Sequence, residues 1–301
     1  MEIWIPITVA AAAAQTLRFM LQKHLRSTRL STSGATFARF LYSAPLVAVL
    51  LVSYLYATGT PTPGPTGRFW LFAIVGGATQ IGATLCVVAL FNQRNFAIGI
   101  TFKKTEVLQT AIVGFLVLGE GVSQAGLFAI LIGFLAVVLL SDAPGGGGQT
   151  LRRRFLNRAA GLGMLSGVLF AFSAVGYRGA SLALTSGEVF VRAGFTLAVV
   201  TALQMTAMGL WLAWRDRAQL LATVQAWRVA GLVGVTSMIG SFCWFSAFTL
   251  QNAAYVNALG QIEIIFSLMA SFLFFNEKMT RRELAGIALL SGAILVLILT
   301  I

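Results

Sequence analysis

The sequence predicts an all-α integral membrane protein with ten transmembrane helices, built as two inverted five-helix repeats. Three observations carry that expectation. First, the chain is strongly apolar. Of its 301 residues, 58% are hydrophobic and 10% charged, against about 25% charged in a soluble domain, and the mean hydropathy is +0.87. Second, the chain repeats itself. Residues 70–120 laid on 227–277, an offset of 157, pair Trp70 with Trp227, Gly77 with Gly234, Thr79 with Thr236, Cys86 with Cys243 and Phe91 with Phe248. The same offset pairs Asn95 with Asn252, Ala97 with Ala254, Glu106 with Glu263 and Glu120 with Glu277. Chance matches Ala or Leu freely in such a chain; it rarely matches both cysteines and two glutamates at one offset. Third, the basic residues gather in alternate loops, which sets a topology.

The elements follow in order. A first span, 3–22, has no basic stretch before it and no small-residue cleavage site after Ala10–Ala14, so it reads as a span rather than a removed leader. A second span, 34–57, leads into Thr58–Gly67, where Pro61, Pro63 and Pro65 predict extended chain. Spans 69–92 and 97–118 flank Arg94, and 123–141 completes a first repeat, 1–141. Residues 142–157 hold Asp142, Pro144, Gly145–Gly148 and Arg152–Arg154, the composition of a flexible solvated linker. Spans 159–180, 188–212, 228–250, 254–275 and 283–300 make the second repeat, 158–301. Each is near the roughly 20 apolar residues that cross a hydrocarbon core of about 30 Å. An odd number of spans per repeat forces the two copies to insert with opposite orientation.

Numbered alternately, the loops on one side collect Lys23, Arg26 and Arg29, then Arg94, then Arg152–Arg154 and Arg158. The same side takes Arg215, Arg217 and Arg228, then Lys278, Arg281 and Arg282. The other side holds Arg68, Arg178 and both termini. The basic side is expected to be cytoplasmic in a cell membrane, with the termini outside. The net charge of +12 is therefore a topology signal, not a nucleic-acid footprint.

Each half ends in a hairpin of one pattern: Leu116 to Glu120 followed by Gly126 and Gly133, and Phe272 to Glu277 followed by Gly286 and Gly292. This resembles the paired repeat of the EamA type in the drug/metabolite transporter superfamily, over nearly the whole chain. The resemblance implies ten helices, a central cavity and export of small metabolites or amino acids.

The sharpest candidates for chemistry are Glu106 and Glu263. Each falls about nine residues into its expected span, roughly 14 Å deep at 1.5 Å per residue. A charge there costs about 2.5–3.5 kcal/mol and needs a partner, water or a bound proton. That suits a carrier in which proton and substrate compete for one site. The structural alternative is a local ion pair, since Lys103 precedes Glu106 by three residues, whereas Gly260 precedes Glu263. Lys103 and its neighbour Lys104 point about 100° apart on a helix, so one is expected to snorkel to the interface. Lys103 either binds an anionic group of the substrate or anchors the helix. Arg18, and the matched pair Arg39 and Arg192, read mainly as snorkelling or structural charges. Gln15, Gln80, Gln109, Ser237, Asn257 and Gln261 are polar residues that either line a cavity or bond between helices. Gly161, Gly163 and Gly167 read as a helix-packing face rather than a phosphate loop.

No cofactor or metal is expected: His24 is the only histidine, and the two aspartates, Asp142 and Asp216, fall in loops. The chain is expected to be no enzyme but a secondary transporter of a small polar molecule, with H+ as a candidate coupling ion. A passive facilitator is the alternative, and a membrane-embedded enzyme a remote one. The mixed charge signs suggest a zwitterion, and one chain holds a complete site, so a monomer suffices.

Overall fold

The computed structural model describes residues 2–28, 30–90, 102–141, 158–266, 268–269 and 281–300. The expected linker 142–157, the residues Arg94, Asn95, Ala97, Glu277 and Lys278, the start of the fourth span and the end of the ninth lie outside them.

Helices follow one another along the chain. They are α1 (Trp4–Thr28), α2 (Thr32–Thr58), α3 (Gly67–Leu90), α4 (Glu106–Leu118), α5 (Gln124–Ser141) and α6 (Arg158–Leu182). Then come α7 (Val189–Arg215), α8 (Arg217–Gln225), α9 (Trp227–Leu250), α10 (Ala253–Leu259), a 3₁₀ turn at Gly260–Ile262 and α11 (Arg281–Thr300). No strand occurs among the described residues. Among the described residues six helices, α1, α2, α3, α6, α7 and α9, are long and apolar enough to cross a membrane. Their outer faces stay apolar: Val52 is 64%, Leu210 68% and Leu71 62% exposed. A perimeter of that kind suits hydrocarbon and not water, so the chain is a multi-pass membrane protein.

Local chemistry fixes the ends. Ser31 caps α2 by accepting from Gly34 N–H, and Gly59 closes it at φ 64°. Such a left-handed stop suits a residue without Cβ. Asp216 caps α8, a short helix in a stretch expected as loop. The missed signal was that capping aspartate, which accepts from Gln219 N–H at 3.2 Å.

The fourth and ninth spans depart most from the expectation. Neither is continuous through its glutamate. Residues Lys104 and Thr105 form a turn, and α4 starts at Glu106. In the second half α10 stops at Leu259, the 3₁₀ turn intervenes, and helix resumes at Glu263. At the offset of 157 the two interruptions coincide, residues 104–105 with 261–262. The first break has a local cause. Thr105 Oγ1 donates to Phe102 C=O at 2.6 Å, and Thr105 N–H donates to the same carbonyl at 3.2 Å. A hydroxyl that bonds its own backbone competes with helix propagation. At the second, Gly260 supplies the weakest helix propensity after proline.

Packing is reciprocal. α3 lies along α6, and α1 lies along α9; α2 meets α7, and α5 meets α11. The α3–α6 crossing is close because Gly76 and Gly176 meet: a Cβ on Gly176 would stand 2.9 Å from Gly76 Cα and 3.1 Å from Phe72 O. Small residues at a crossing let two backbones approach. At one end of the bundle Arg178, in α6, donates to Glu120 Oε2 at 2.7 Å, to Phe248 C=O at 2.6 Å and to Gln251 C=O at 2.7 Å. One guanidinium thereby ties α6 to the end of α4 and the end of α9, and is a half-buried connector rather than a loop charge.

Candidate functional site

The two helix breaks face a shared internal cavity. Its wall takes Gln15 from α1, Arg39 from α2, Gln80 from α3, Lys103, Lys104 and Glu106 from the first break, and Asn257, Gly260, Gln261 and Glu263 from the second. Tyr177 and Ser173 come from α6, and Ser241, Trp244 and Phe248 from α9. The free space among them is about 50 Å³. That admits water molecules but is well below the roughly 300 Å³ of an ordinary ligand pocket.

Both glutamates are paired. Lys103 Nζ lies 3.3 Å from Glu106 Oε2, and Lys104 Nζ lies 3.7 Å from Glu263 Oε2. The second pair crosses between halves, and Gln15 Nε2 adds a bond to Glu263 Oε2 at 2.8 Å. Neither lysine snorkels: Lys103 is 5% and Lys104 3% exposed. The 100° argument fails because the helix is interrupted at Lys104, so each ammonium reaches its own carboxylate. Lys103 also lies over the Phe170 ring, 5.1 Å from its centroid, a favourable face for a cation.

The remaining expected residues separate into two groups. Gln15, Gln80, Asn257 and Gln261 reach the cavity. Asn257 Nδ2 donates to Thr110 Oγ1 across the halves at 2.9 Å, and Gln80 Oε1 accepts from Gln204 Nε2 at 3.0 Å. Arg18 stands behind Gln15, donating to its Oε1 at 3.2 Å. Gln109 points elsewhere: its Nε2 donates to Thr105 Oγ1 at 3.0 Å, and its side chain packs beside Gly167 of α6. Ser237 is buried without reaching the cavity. Of the glycine face, Gly161 faces open space, whereas Gly167 is in tight contact. A Cβ there would stand 2.6 Å from Gln109 Oε1 and 3.1 Å from Lys103 O, so its bareness seats α6 against the first break.

Arg39 is the wall residue that sequence reasoning placed elsewhere. It is 4% exposed, and its two terminal nitrogens donate to Thr84 Oγ1 and Ser241 Oγ, each at 3.2 Å. Thr84 and Ser241 are mates at the offset of 157. Two hydroxyls at matched positions, with a matched arginine near them, are the signal that would have found it. The aromatic wall was also missed. Trp244 stacks on Phe248 at 5.6 Å, and Tyr177 on Phe245 at 4.1 Å. Among the described residues no cluster of side chains fits a metal ion.

Comparison with known proteins bears on fold and family. Residues 157–299 match the EamA-like transporter family. No curated protein matches the chain. A solved crystal structure shares the fold, with a TM-score of 0.64 at 18% identity, over 98% of this chain and 99% of that one.

Proposed function

Because residues 157–299 match the EamA-like transporter family of the drug/metabolite transporter superfamily, we propose that the chain is a member of it and a secondary transporter of a small polar metabolite, working by alternating access. The observation that carries this is the cavity itself. Charged side chains from both halves meet inside an apolar bundle, at two interrupted helices. Interrupted helices at mid-bundle are where transporters place their substrate and coupling-ion sites.

The ten-span inverted-repeat organisation, 1–141 and 158–301 joined by 142–157, is part of this reading. Reciprocal packing supports it: α3 on α6 mirrors α1 on α9, while α2–α7 and α5–α11 are contacts between mates. The coincident breaks support it too. In that arrangement one half rocks against the other, and the wall must move to admit anything larger than water. The basic loops would lie in the cytoplasm and the termini outside, which places the Arg178–Glu120 tie towards the external end.

Proton coupling would run through Glu263. A proton on this carboxylate removes the attraction to Lys104 and weakens the bridge between halves; substrate and proton then compete for one arrangement. Export is the proposed direction, and one chain suffices for the cycle. The test uses purified protein in liposomes loaded with a panel of amino acids, organic acids and phosphate esters. A pH jump should drive flux in wild type and not in Glu263→Gln, which should retain exchange without a gradient. Equal pH-driven flux in both would refute the coupling, and no exchange of any compound would refute transport.

A further inference from the structure

We propose that the cavity selects a small anion, and that the Arg39 fork is the subsite for its carboxylate or phosphate group. This deepens the transporter reading and rests on it. The argument is one of charge and partners. Around the cavity stand four buried cations, Arg18, Arg39, Lys103 and Lys104, and two carboxylates, Glu106 and Glu263. The carboxylates are already held by the two lysines. Among the described residues the site therefore carries an excess of two positive charges, both on arginines.

Arg39 is the one of these that lines the cavity. Its bonds go to two neutral hydroxyls and its plane lies over Phe40, 5.3 Å from the ring centroid. Neutral hydroxyls orient a guanidinium but do not balance its charge. A buried, uncompensated charge is expensive, and a neutral glutamine would bridge two hydroxyls without burying a charge. A planar fork earns its place where it meets a carboxylate or phosphate edge-on. A second observation points the same way. Trp244 Nε1, on the same wall, is a buried donor with no partner among the described residues. An acceptor-only group in the cavity, as an anion oxygen is, would supply the partner it lacks. Ser241 is part of both the α9 wall and the Arg39 contact, so the fork and the indole serve one face of the cavity. The zwitterion expected from mixed charge signs does not fit this balance: it carries no net charge and would leave the excess of two in place.

The experiment is counterflow exchange in proteoliposomes with matched probes: glutarate against glutaramide, glycerol 3-phosphate against glycerol, and alanine as a zwitterion. Wild type should exchange at least one anion about 10- to 100-fold faster than its neutral partner, the weight of one charge-assisted bidentate contact. Which anion wins separates carboxylate from phosphate. Arg39→Gln should erase that preference, and Arg39→Lys should keep its sign with weaker affinity. Trp244→Phe should raise the half-saturating anion concentration and leave the neutral probes unaffected. Should Arg39→Gln fail to fold, the Arg39→Lys and Trp244→Phe variants and the wild-type ratios still decide. Equal exchange of anion and neutral probe, or faster exchange of alanine, overturns the inference while leaving transport standing. An anion preference untouched by Arg39→Gln makes Arg39 a strut and also overturns it. Absence of exchange with every probe counts against transport itself.

Discussion

Removing the charge of Glu263 should destabilise the fold, and removing Lys104 as well should restore much of the loss. Glu263 and Lys104 sit 3.7 Å apart, with side chains 13% and 3% exposed. Glu263→Gln keeps the shape of the side chain, and its amide oxygen still accepts from Gln15, so charge is what changes. The lysine ammonium is then left nearly out of reach of water. Breaking a buried pair by neutralising one partner costs about 3–5 kcal/mol. Glu106, held next to Lys103, relieves part of that, so the lower end applies, about 3 kcal/mol. At about 2–4 °C per kcal/mol for a large domain, the apparent Tm in detergent should fall by about 6–12 °C. Lys104→Met alone should cost a similar amount, because it strands the carboxylate. The double variant should recover, giving a coupling of about 2 kcal/mol or more. The assay is loss of the monodisperse chromatographic peak on heating, for wild type, both single variants and the double. Strictly additive losses would mean that the two charges do not hold each other, and the bridge between halves would not exist.

Four further outcomes follow from the packing. Gly176→Ala should lower the apparent Tm, by an overpacking cost of about 1–3 kcal/mol, because its Cβ meets the backbone of Gly76 and Phe72. Gly161→Ala, with nothing within 4 Å of its Cβ, should be neutral or slightly stabilising; thermal scans of the two side by side check this. Glu120→Gln should loosen the connector at Arg178 and raise the exchange rate of backbone amides at the ends of α4 and α9, read by hydrogen–deuterium mass spectrometry, without changing which substrate is taken. Gln109→Ala should leave transport selectivity unchanged, since its side chain faces α6 and not the cavity, and competition assays in liposomes would show otherwise.

How much was legible depended on which physical signal each feature leaves in one dimension. Apolar length is written directly, so α1, α2, α3, α6, α7 and α9 could be placed to within a few residues at most ends. Family resemblance was legible from two hairpins. The membrane environment of Glu106 and Glu263 was legible because a carboxylate in an apolar run has few cheap explanations. Partner identity was not. Lys103 and Glu106 are near in sequence, and that pair could be anticipated. Lys104 and Glu263 are far apart, and a continuous helix would have turned Lys104 away. The breaks decide the site, and they leave only a faint trace: a threonine that bonds its own backbone in one half and a glycine in the other. Neither stands out in a chain with 31 glycines. The offset comparison held the missing information. Two breaks at matched positions, two hydroxyls at matched positions beside Arg39, and two glutamates each opening a new helical segment all recur at one spacing. A lone threonine or a lone arginine is ambiguous, whereas a residue whose mate has the same chemistry has been constrained twice by the same geometry. For a duplicated membrane chain, then, matched polar pairs locate a shared interior better than depth along a span does. Arg39, with Thr84 and Ser241 on its fork, is the case where that rule would have found what a snorkelling argument concealed.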